Sequence, residues 1–168
     1  MKKKRTLISL IALALVMVVG IGFATFQNLL SITGTVDVEP NDTAFKVEFI
    51  EDVDDHVTLS DDKGTANITV DSSELVKAGD SVTVNLSIQN KSTDKYNATV
   101  SAPTISAVSP SEGANASDIS VTCSWVEKTL AFGSEAESFT VTITLNKALV
   151  EAASYTFSIT FDVEAVPA

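Results

Sequence analysis

Cysteine and histidine are almost absent from this 168-residue sequence, which holds one residue of each, Cys123 and His56. A single cysteine excludes an internal disulfide. One histidine, without a second cysteine or an HExxH sequence, excludes a zinc site built from the usual nitrogen and sulfur ligands of one chain. A serine hydrolase would need His56 as its base, but the sequence lacks the G-x-S-x-G elbow. We therefore predict that the chain is not an enzyme and has no organic cofactor.

Positive charge is also scarce. The chain has 11 Lys and Arg against 22 Asp and Glu, for a formal net charge of −11. Four of the cations lie in the KKKR run at residues 2–5, so loss of the first 24 residues would change the charge to −15. A surface this negative repels phosphate backbones and anionic lipid. We predict no nucleic-acid partner, and membrane contact only through residues 1–26.

Residues 1–24 have the organisation of a secretory signal peptide. The KKKR run precedes an almost wholly apolar stretch at residues 7–19, and small residues follow at Gly22 and Ala24. These are the −3 and −1 positions that a signal peptidase reads, which predicts cleavage between Ala24 and Thr25. The alternative is an uncleaved anchor, because residues 7–26 are just long enough to span a bilayer. Either interpretation places the bulk of the chain outside the cell.

The rest of the sequence alternates apolar and polar residues with a period of two, the pattern of half-buried strands. The clearest example is the segment 77–100, where polar residues alternate with Val82, Val84, Leu86 and Ile88. A loop without apolar residues follows, and then a second alternating run, so this segment predicts a β-hairpin. Cys123 falls on the inward face of another such run, which predicts a core thiol.

Similar runs predict eight to ten strands in one domain, residues 41–168, preceded by an N-terminal strand within residues 25–40. We expect an all-β fold, an antiparallel jelly-roll or immunoglobulin-like β-sandwich, after an N-terminal signal helix. Two exceptions are predicted inside it. The segment 71–76 begins like a capped helical turn, and the alanine-rich segment 147–153 is long enough for one or two helical turns.

An acidic run interrupts the strand pattern after residue 50. Asp52, Asp54 and Asp55 place hard oxygen ligands within a short span, as Ca²⁺ prefers. Their spacing does not match the twelve-residue EF-hand loop, and a solvated acidic loop is the alternative. Ca²⁺ at these three residues is the one metal site that the sequence predicts.

Three segments in order resemble one known family. They are GIGFATFQN at the end of the apolar run, LSITGTVDV directly after it, and KAGDSVTVNLSIQNKSTDKYNATV at residues 77–100. Together they are similar to the TasA and camelysin family of secreted Gram-positive surface proteins, which a dedicated signal peptidase processes. One departure is visible in the third segment, where residues 91–93, Lys-Ser-Thr, stand in place of the glycine that the family has after the asparagine.

The resemblance implies a bacterial subunit of extracellular biofilm-matrix fibres, in which an N-terminal strand of one copy completes a sheet of the next. The matching strand here has its apolar face at Leu30, Ile32, Val36 and Val38. It can equally be an ordinary internal strand. Camelysin-like proteins are also described as metalloproteases, but the histidine ligands for such a site are missing.

Two functions therefore remain open from the sequence. The first is a secreted fibre subunit that binds copies of itself or a related surface protein. The second is a monomeric cell-surface module that binds Ca²⁺ or carbohydrate. A concave site with an exposed aromatic ring, on which a sugar can stack, would distinguish it. The only Trp and Tyr residues are Trp125, Tyr96 and Tyr155. Because Trp125 and Tyr155 fall on predicted core faces, the sequence favours the fibre subunit.

Overall fold

The computed structural model describes residues 30–39, 45–50, 54–93 and 95–168, and 58% of these residues lie in strands. The predicted signal peptide and its cleavage site at Ala24 and Thr25 lie outside the described residues. Within the described ranges, no helix is both long and apolar enough to cross a membrane.

Twelve strands occur in the described part of the chain. In order they are β1 (Leu30–Glu39), β2 (Val47–Ile50), β3 (Val57–Leu59), β4 (Thr65–Asp71), β5 (Ser81–Asn90), β6 (Tyr96–Val100), β7 (Thr104–Ile105), β8 (Ser109–Pro110), β9 (Ile119–Cys123), β10 (Lys128–Leu130), β11 (Glu137–Leu145) and β12 (Ala153–Pro167). One turn of 3₁₀ helix, Ala116–Asp118, precedes β9. The prediction of an all-β fold is therefore confirmed.

The strands form two sheets. The first has the order β10-β6-β12-β1-β4-β3, and the short strands β7 and β8 also pair with β12. The second has the order β2-β5-β11-β9 and is antiparallel throughout. In the first sheet β1 runs parallel to β12 and antiparallel to β4. Among the described strands this is the one parallel pair, and it joins the first strand in the described sequence to the last.

Both sheets contribute to one hydrophobic core. Their inward positions follow the period of two, as in β11, whose buried side chains are Phe139, Val141, Ile143 and Leu145. Three rings meet edge to face at the centre, with centroids 5.6 Å apart for Trp125 and Phe139, 5.6 Å for Phe139 and Phe161, and 6.1 Å for Trp125 and Phe161. Because Phe139 lies on β11 and Phe161 on β12, this contact connects the two sheets.

The predicted hairpin at residues 77–100 is wrong. Its two strands are present as β5 and β6, but β5 pairs with β2 and β11, whereas β6 pairs with β10 and β12. The connection therefore crosses from one sheet to the other. Alternation identified the buried face of each strand correctly, but it carries no information about which strand lies beside it.

Asn90 explains how the chain makes this crossing. Its buried side-chain amide donates hydrogen bonds to the carbonyl oxygens of Tyr96, at 2.8 Å, and Leu130, at 3.2 Å. Its side-chain oxygen accepts from the backbone N–H of Ser92 at 3.1 Å and from the Ser92 hydroxyl at 2.7 Å. This amide thus ties the end of β5 to two strands of the opposite sheet.

Both predicted helical turns are also wrong. Residues 72–74 form a hydrogen-bonded turn and residues 147–152 an irregular connection, and neither is helical. In the first, Glu74 accepts a hydrogen bond from the backbone N–H of Asp71, as a capping residue would, but its other oxygen bonds to His56. The side chain is therefore held by a tertiary contact, which a local pattern does not reveal. Cys123 packs against the core but is only half-buried, because β9 is the last strand of its sheet.

Candidate functional site

The predicted assembly strand, β1, lies in the interior of the first sheet. Its ladder with β12 runs from Leu30 opposite Ala153 to Glu39 opposite Asp162, and its ladder with β4 covers residues 31–37. Of the four predicted assembly residues, three are core side chains, namely Ile32, Val36 and Val38. For Leu30 the structure describes the backbone pairing alone.

Gly34 is the position at which β1 fits most closely to its neighbour. It is buried between Ile32 and Val36 on the inward face, and in the parallel ladder it lies opposite Phe157. A Cβ atom added at Gly34 would lie 2.1 Å from the Cζ atom of the Phe157 ring. The ring therefore covers the glycine, and no residue with a side chain fits here without movement of Phe157. A glycine inside a strand pattern indicates such a close approach. The sequence does not show that Phe157 is the residue that makes it.

The position of β1 divides the first sheet. On one side of it are β12, β6 and β10, and on the other are β4 and β3. Without β1, the facing backbone groups of β12 and β4 would lose their partners over most of its length, and the core would lose three apolar side chains. A strand of the same sequence from another copy carries the same groups in the same register. We call the space that β1 fills between β4 and β12 its slot.

A second cluster forms where the acidic run meets the turn after β4. His56 is held between two carboxylates, with its Nδ1 atom 2.8 Å from Asp54 Oδ1 and its Nε2 atom 2.8 Å from Glu74 Oε1. Asp54 also accepts hydrogen bonds from the backbone N–H groups of His56, at 3.1 Å, and Asn85, at 3.0 Å. This cluster joins the loop before β3 to the turn after β4 and to β5, across both sheets.

The contacts in this cluster shift the pKa values of two of its members. The hydrogen bond to Glu74, followed by that to Asp54, raises the pKa of His56 above its ordinary value. For Asp54, burial acts to raise the pKa, but the hydrogen bonds from Asn85 and His56 outweigh it and lower the pKa overall. Both shifts favour the charged pair of imidazolium and carboxylate.

We predict that this cluster makes stability fall as the pH rises through the neutral range. Because the pKa of His56 is higher in the folded than in the unfolded chain, its contribution is complete below about pH 6.5 and is lost as the pH rises through the folded value. Urea unfolding of the wild-type protein between about pH 6 and pH 8 should show the decline. His56→Gln should remove it, since the chain has no other histidine. An equal decline in the His56→Gln variant would contradict the prediction.

The predicted Ca²⁺ ligands are not gathered into a site among the described residues. The two carboxylate oxygens of Asp54 are hydrogen-bonded to the His56 ring and to the backbone N–H of Asn85. Asp55 is exposed, and Asp52 lies outside the described ranges. In the described part of the chain, no group of three or more His, Cys, Asp or Glu residues is arranged to hold a metal ion. The Ca²⁺ site remains a prediction from the sequence.

A third feature is a buried polar contact beside an open cavity of about 210 Å³, lined by residues 112–115 and 147–153 together with Asp118. The Tyr155 hydroxyl donates to Asp118 Oδ2 at 3.2 Å, and that oxygen also accepts from the backbone N–H of Asn115 at 2.9 Å. Burial, and then the bond to this carboxylate, raise the pKa of Tyr155 to about 12. These contacts anchor the loop before β9 onto β12.

The Trp and Tyr side chains of the described residues lie against the core. Tyr155 is fully buried and Trp125 is buried at the centre of the ring cluster, as the sequence predicts. Tyr96 is half-buried against Phe45, with ring centroids 6.2 Å apart. No Trp or Tyr ring in the described part of the chain is therefore exposed for stacking on a sugar.

The sequence does not predict the contacts of Glu74 with His56 or of Asn90 with the opposite sheet. It predicts Gly34 only as part of a strand. Each acts through a partner that is distant in sequence. The one signal in the sequence is Asn90 at the end of the alternating run of β5, but the polar residues that follow it predict a turn.

Comparison with known proteins gives no match: no family model matches the chain, and no curated protein does. The resemblance to the TasA and camelysin family therefore depends on the three sequence segments quoted above.

Proposed function

We propose that this protein is a secreted structural subunit of an extracellular fibre, in which β1 of one copy fills the slot between β4 and β12 of the next. We also infer that its two sheets pack face to face as a β-sandwich. The observation that carries the proposal is the place of β1, which is the first strand in the described sequence and yet lies in the interior of the first sheet.

The pairing of β1 supports exchange between copies. It runs parallel to β12, so the two strands are not joined by a short turn, and their contact does not require them to belong to one chain. In an exchanged arrangement, the same backbone ladders and the same burial of Ile32, Val36 and Val38 would form between copies. The free-energy difference between the two arrangements is then small, apart from the entropy of association.

Three features of the sequence support an extracellular location and a structural role. The segment at residues 1–24 predicts export, the high negative charge favours solubility outside the cell, and the resemblance to the TasA and camelysin family implies a biofilm-matrix fibre. His56, the single histidine, is bound by two carboxylates, and no hydroxyl or thiol group is bonded to it in the described contacts. These two contacts support a structural role for His56 in this proposal.

A pair of cysteines can test the exchange. Thr35 on β1 lies opposite Asn67 on β4, on the outward face of the sheet. Opposed residues in an antiparallel ladder have Cα atoms about 4.5–5.5 Å apart, which suits a disulfide. We expect the exported protein carrying T35C and N67C, with Cys123→Ser, to form filaments under the electron microscope. After oxidation these should run as a ladder of covalent multimers on a non-reducing gel.

The matched control places both cysteines in strands that stay in one copy. Thr58 on β3 also lies opposite Asn67, so T58C with N67C should oxidise within each subunit and run as a monomer. If the exported protein forms no filaments, or if T35C with N67C also oxidises only within single chains, β1 is not exchanged. That result would favour the monomeric binding module.

A further inference from the structure

The long strand β12 is covered on both of its sides. On one side β1 pairs with residues 153–162, and the short strands β7 and β8 pair with the same stretch, so they lie on the other side. We call the segment that contains them, residues 101–111, the strap. Each short strand is only two residues long. Most of the contact between the strap and β12 is therefore made in another way.

Three serines of the strap, spaced five residues apart, make that contact. Each donates its backbone N–H to the carbonyl of one β12 residue at 2.8–2.9 Å, and its hydroxyl oxygen accepts the backbone N–H of the same β12 residue at 2.8–3.0 Å. The three pairs are Ser101 with Asp162, Ser106 with Ser158, and Ser111 with Ser154. In each pair the hydroxyl takes the place of the carbonyl that a regular ladder would supply.

The spacing of these serines gives the strap one residue more than β12 between successive contacts. The serines are five residues apart, in the sequence SAPTISAVSPS, whereas their partners on β12 are four residues apart. An extra residue of this kind is the mark of a β-bulge, which interrupts a ladder. Pro103 and Pro110 also lack the N–H that a further strand would need. The strap therefore covers β12 without offering a regular edge of its own.

The covered stretch of β12 is the one along which β1 pairs on the opposite side. Backbone N–H and C=O groups alternate between the two sides of a strand with the same spacing. Without the strap, β12 would present a second row of such groups between Ser154 and Asp162. A strand that pairs with one side of β12 would then find a similar ladder of partners on the other.

We propose that the strap restricts each copy to one acceptor site for β1, the slot between β4 and β12, by closing the second side of β12. The strand that it excludes is β1 of another copy. A copy that accepted β1 on both sides of β12 would join two donors, and the fibre would branch. This consequence rests on the proposed function, whereas the covering of β12 by the strap does not.

Hydrogen exchange tests how the strap is held. Replacing the three serines with alanine removes the acceptors of three β12 N–H groups. In the exported S101A/S106A/S111A variant we expect the amides of Ser154, Ser158 and Asp162 to exchange about tenfold or more faster than in the wild-type protein. Ser109→Ala is the matched control and should change nothing, because Ser109 is exposed and contacts β12 through its backbone in the described structure.

A single substitution keeps the test available if the triple variant does not fold, which circular dichroism shows. Ser106→Ala removes one contact of the three, so it should raise the exchange rate of the Ser158 amide and leave the amides at Ser154 and Asp162 unchanged. Equal protection of all three amides in wild-type and substituted protein would mean that the hydroxyl groups do not hold the strap.

A synthetic peptide of residues 30–39, LSITGTVDVE, tests the second site. In calorimetric titrations we expect the triple variant to bind one more peptide per chain than the wild-type protein or Ser109→Ala does. A scrambled peptide of the same composition controls for non-specific adhesion. An equal number of peptides bound by all three proteins would overturn the proposal.

The difference between these proteins, and not the absolute number of peptides bound, measures the effect of the strap. If β1 is not exchanged between copies, the wild-type protein binds no peptide and the triple variant binds one. If β1 is exchanged, the numbers are one and two. The T35C and N67C experiment reports exchange of β1 independently, so failure of the proposed function and failure of this inference give different results.

Discussion

Replacing Phe161 with alanine is expected to lower the free energy of unfolding by about 3–5 kcal/mol, the usual cost of removing a buried phenylalanine ring. Phe161 is 1% exposed and its ring contacts both Phe139 and Trp125. Its loss would leave a cavity at the point where the two sheets meet. Urea unfolding of the exported protein measures the change, and the fluorescence of Trp125, the one tryptophan of the chain, should change with it.

Phe132 is the matched control for this substitution. It lies in the turn between β10 and β11 and is 41% exposed. Because truncation of an exposed ring creates no internal cavity, Phe132→Ala should cost less than about 1 kcal/mol. Similar losses for the two variants would mean that Phe161 does not join the sheets in the way described.

The burial of such residues could be predicted from sequence because it is a local property. Phe161, Ile32 and Val141 each belong to a run with a strict period of two, and a strand can bury only one of its faces. The period therefore identified the core face of every long strand. Strands of two residues, such as β7 and β8, contain no full period, so alternation cannot predict them.

Pairing between strands could not be predicted in the same way, because it depends on contacts between distant residues. The parallel contact of β1 with β12 joins residues more than a hundred positions apart, and no local pattern records it. The same holds for the cluster at His56, whose partner Glu74 is 18 positions away. After β5 the composition of the loop predicts a tight turn back along the same sheet. The hydrogen bonds of the buried Asn90 side chain instead hold the end of β5 against strands of the other sheet.

The contact between Gly34 and Phe157 gives the second large effect. Gly34→Ala places a Cβ atom inside the space of the Phe157 ring, 2.1 Å from Cζ, and the ring is itself 6% exposed. Since neither β1 nor the buried ring can move freely, we expect a loss of about 1–3 kcal/mol in the free energy of unfolding, typical of overpacking. Thr33→Ala, on the exposed face of the same strand, should cost less than about 1 kcal/mol.

A double-mutant cycle separates this steric clash from an intrinsic effect of alanine in the strand. Phe157→Ala alone should cost about 3–5 kcal/mol. In that background the space above residue 34 is empty, so Gly34→Ala should be neutral or stabilising, because alanine loses less conformational entropy than glycine in a strand. If Gly34→Ala is equally destabilising in both backgrounds, the ring is not the cause. If the sign changes, the ring over Gly34 limits which strand fits the slot, and any copy that supplies β1 to a neighbour must supply a glycine at this position.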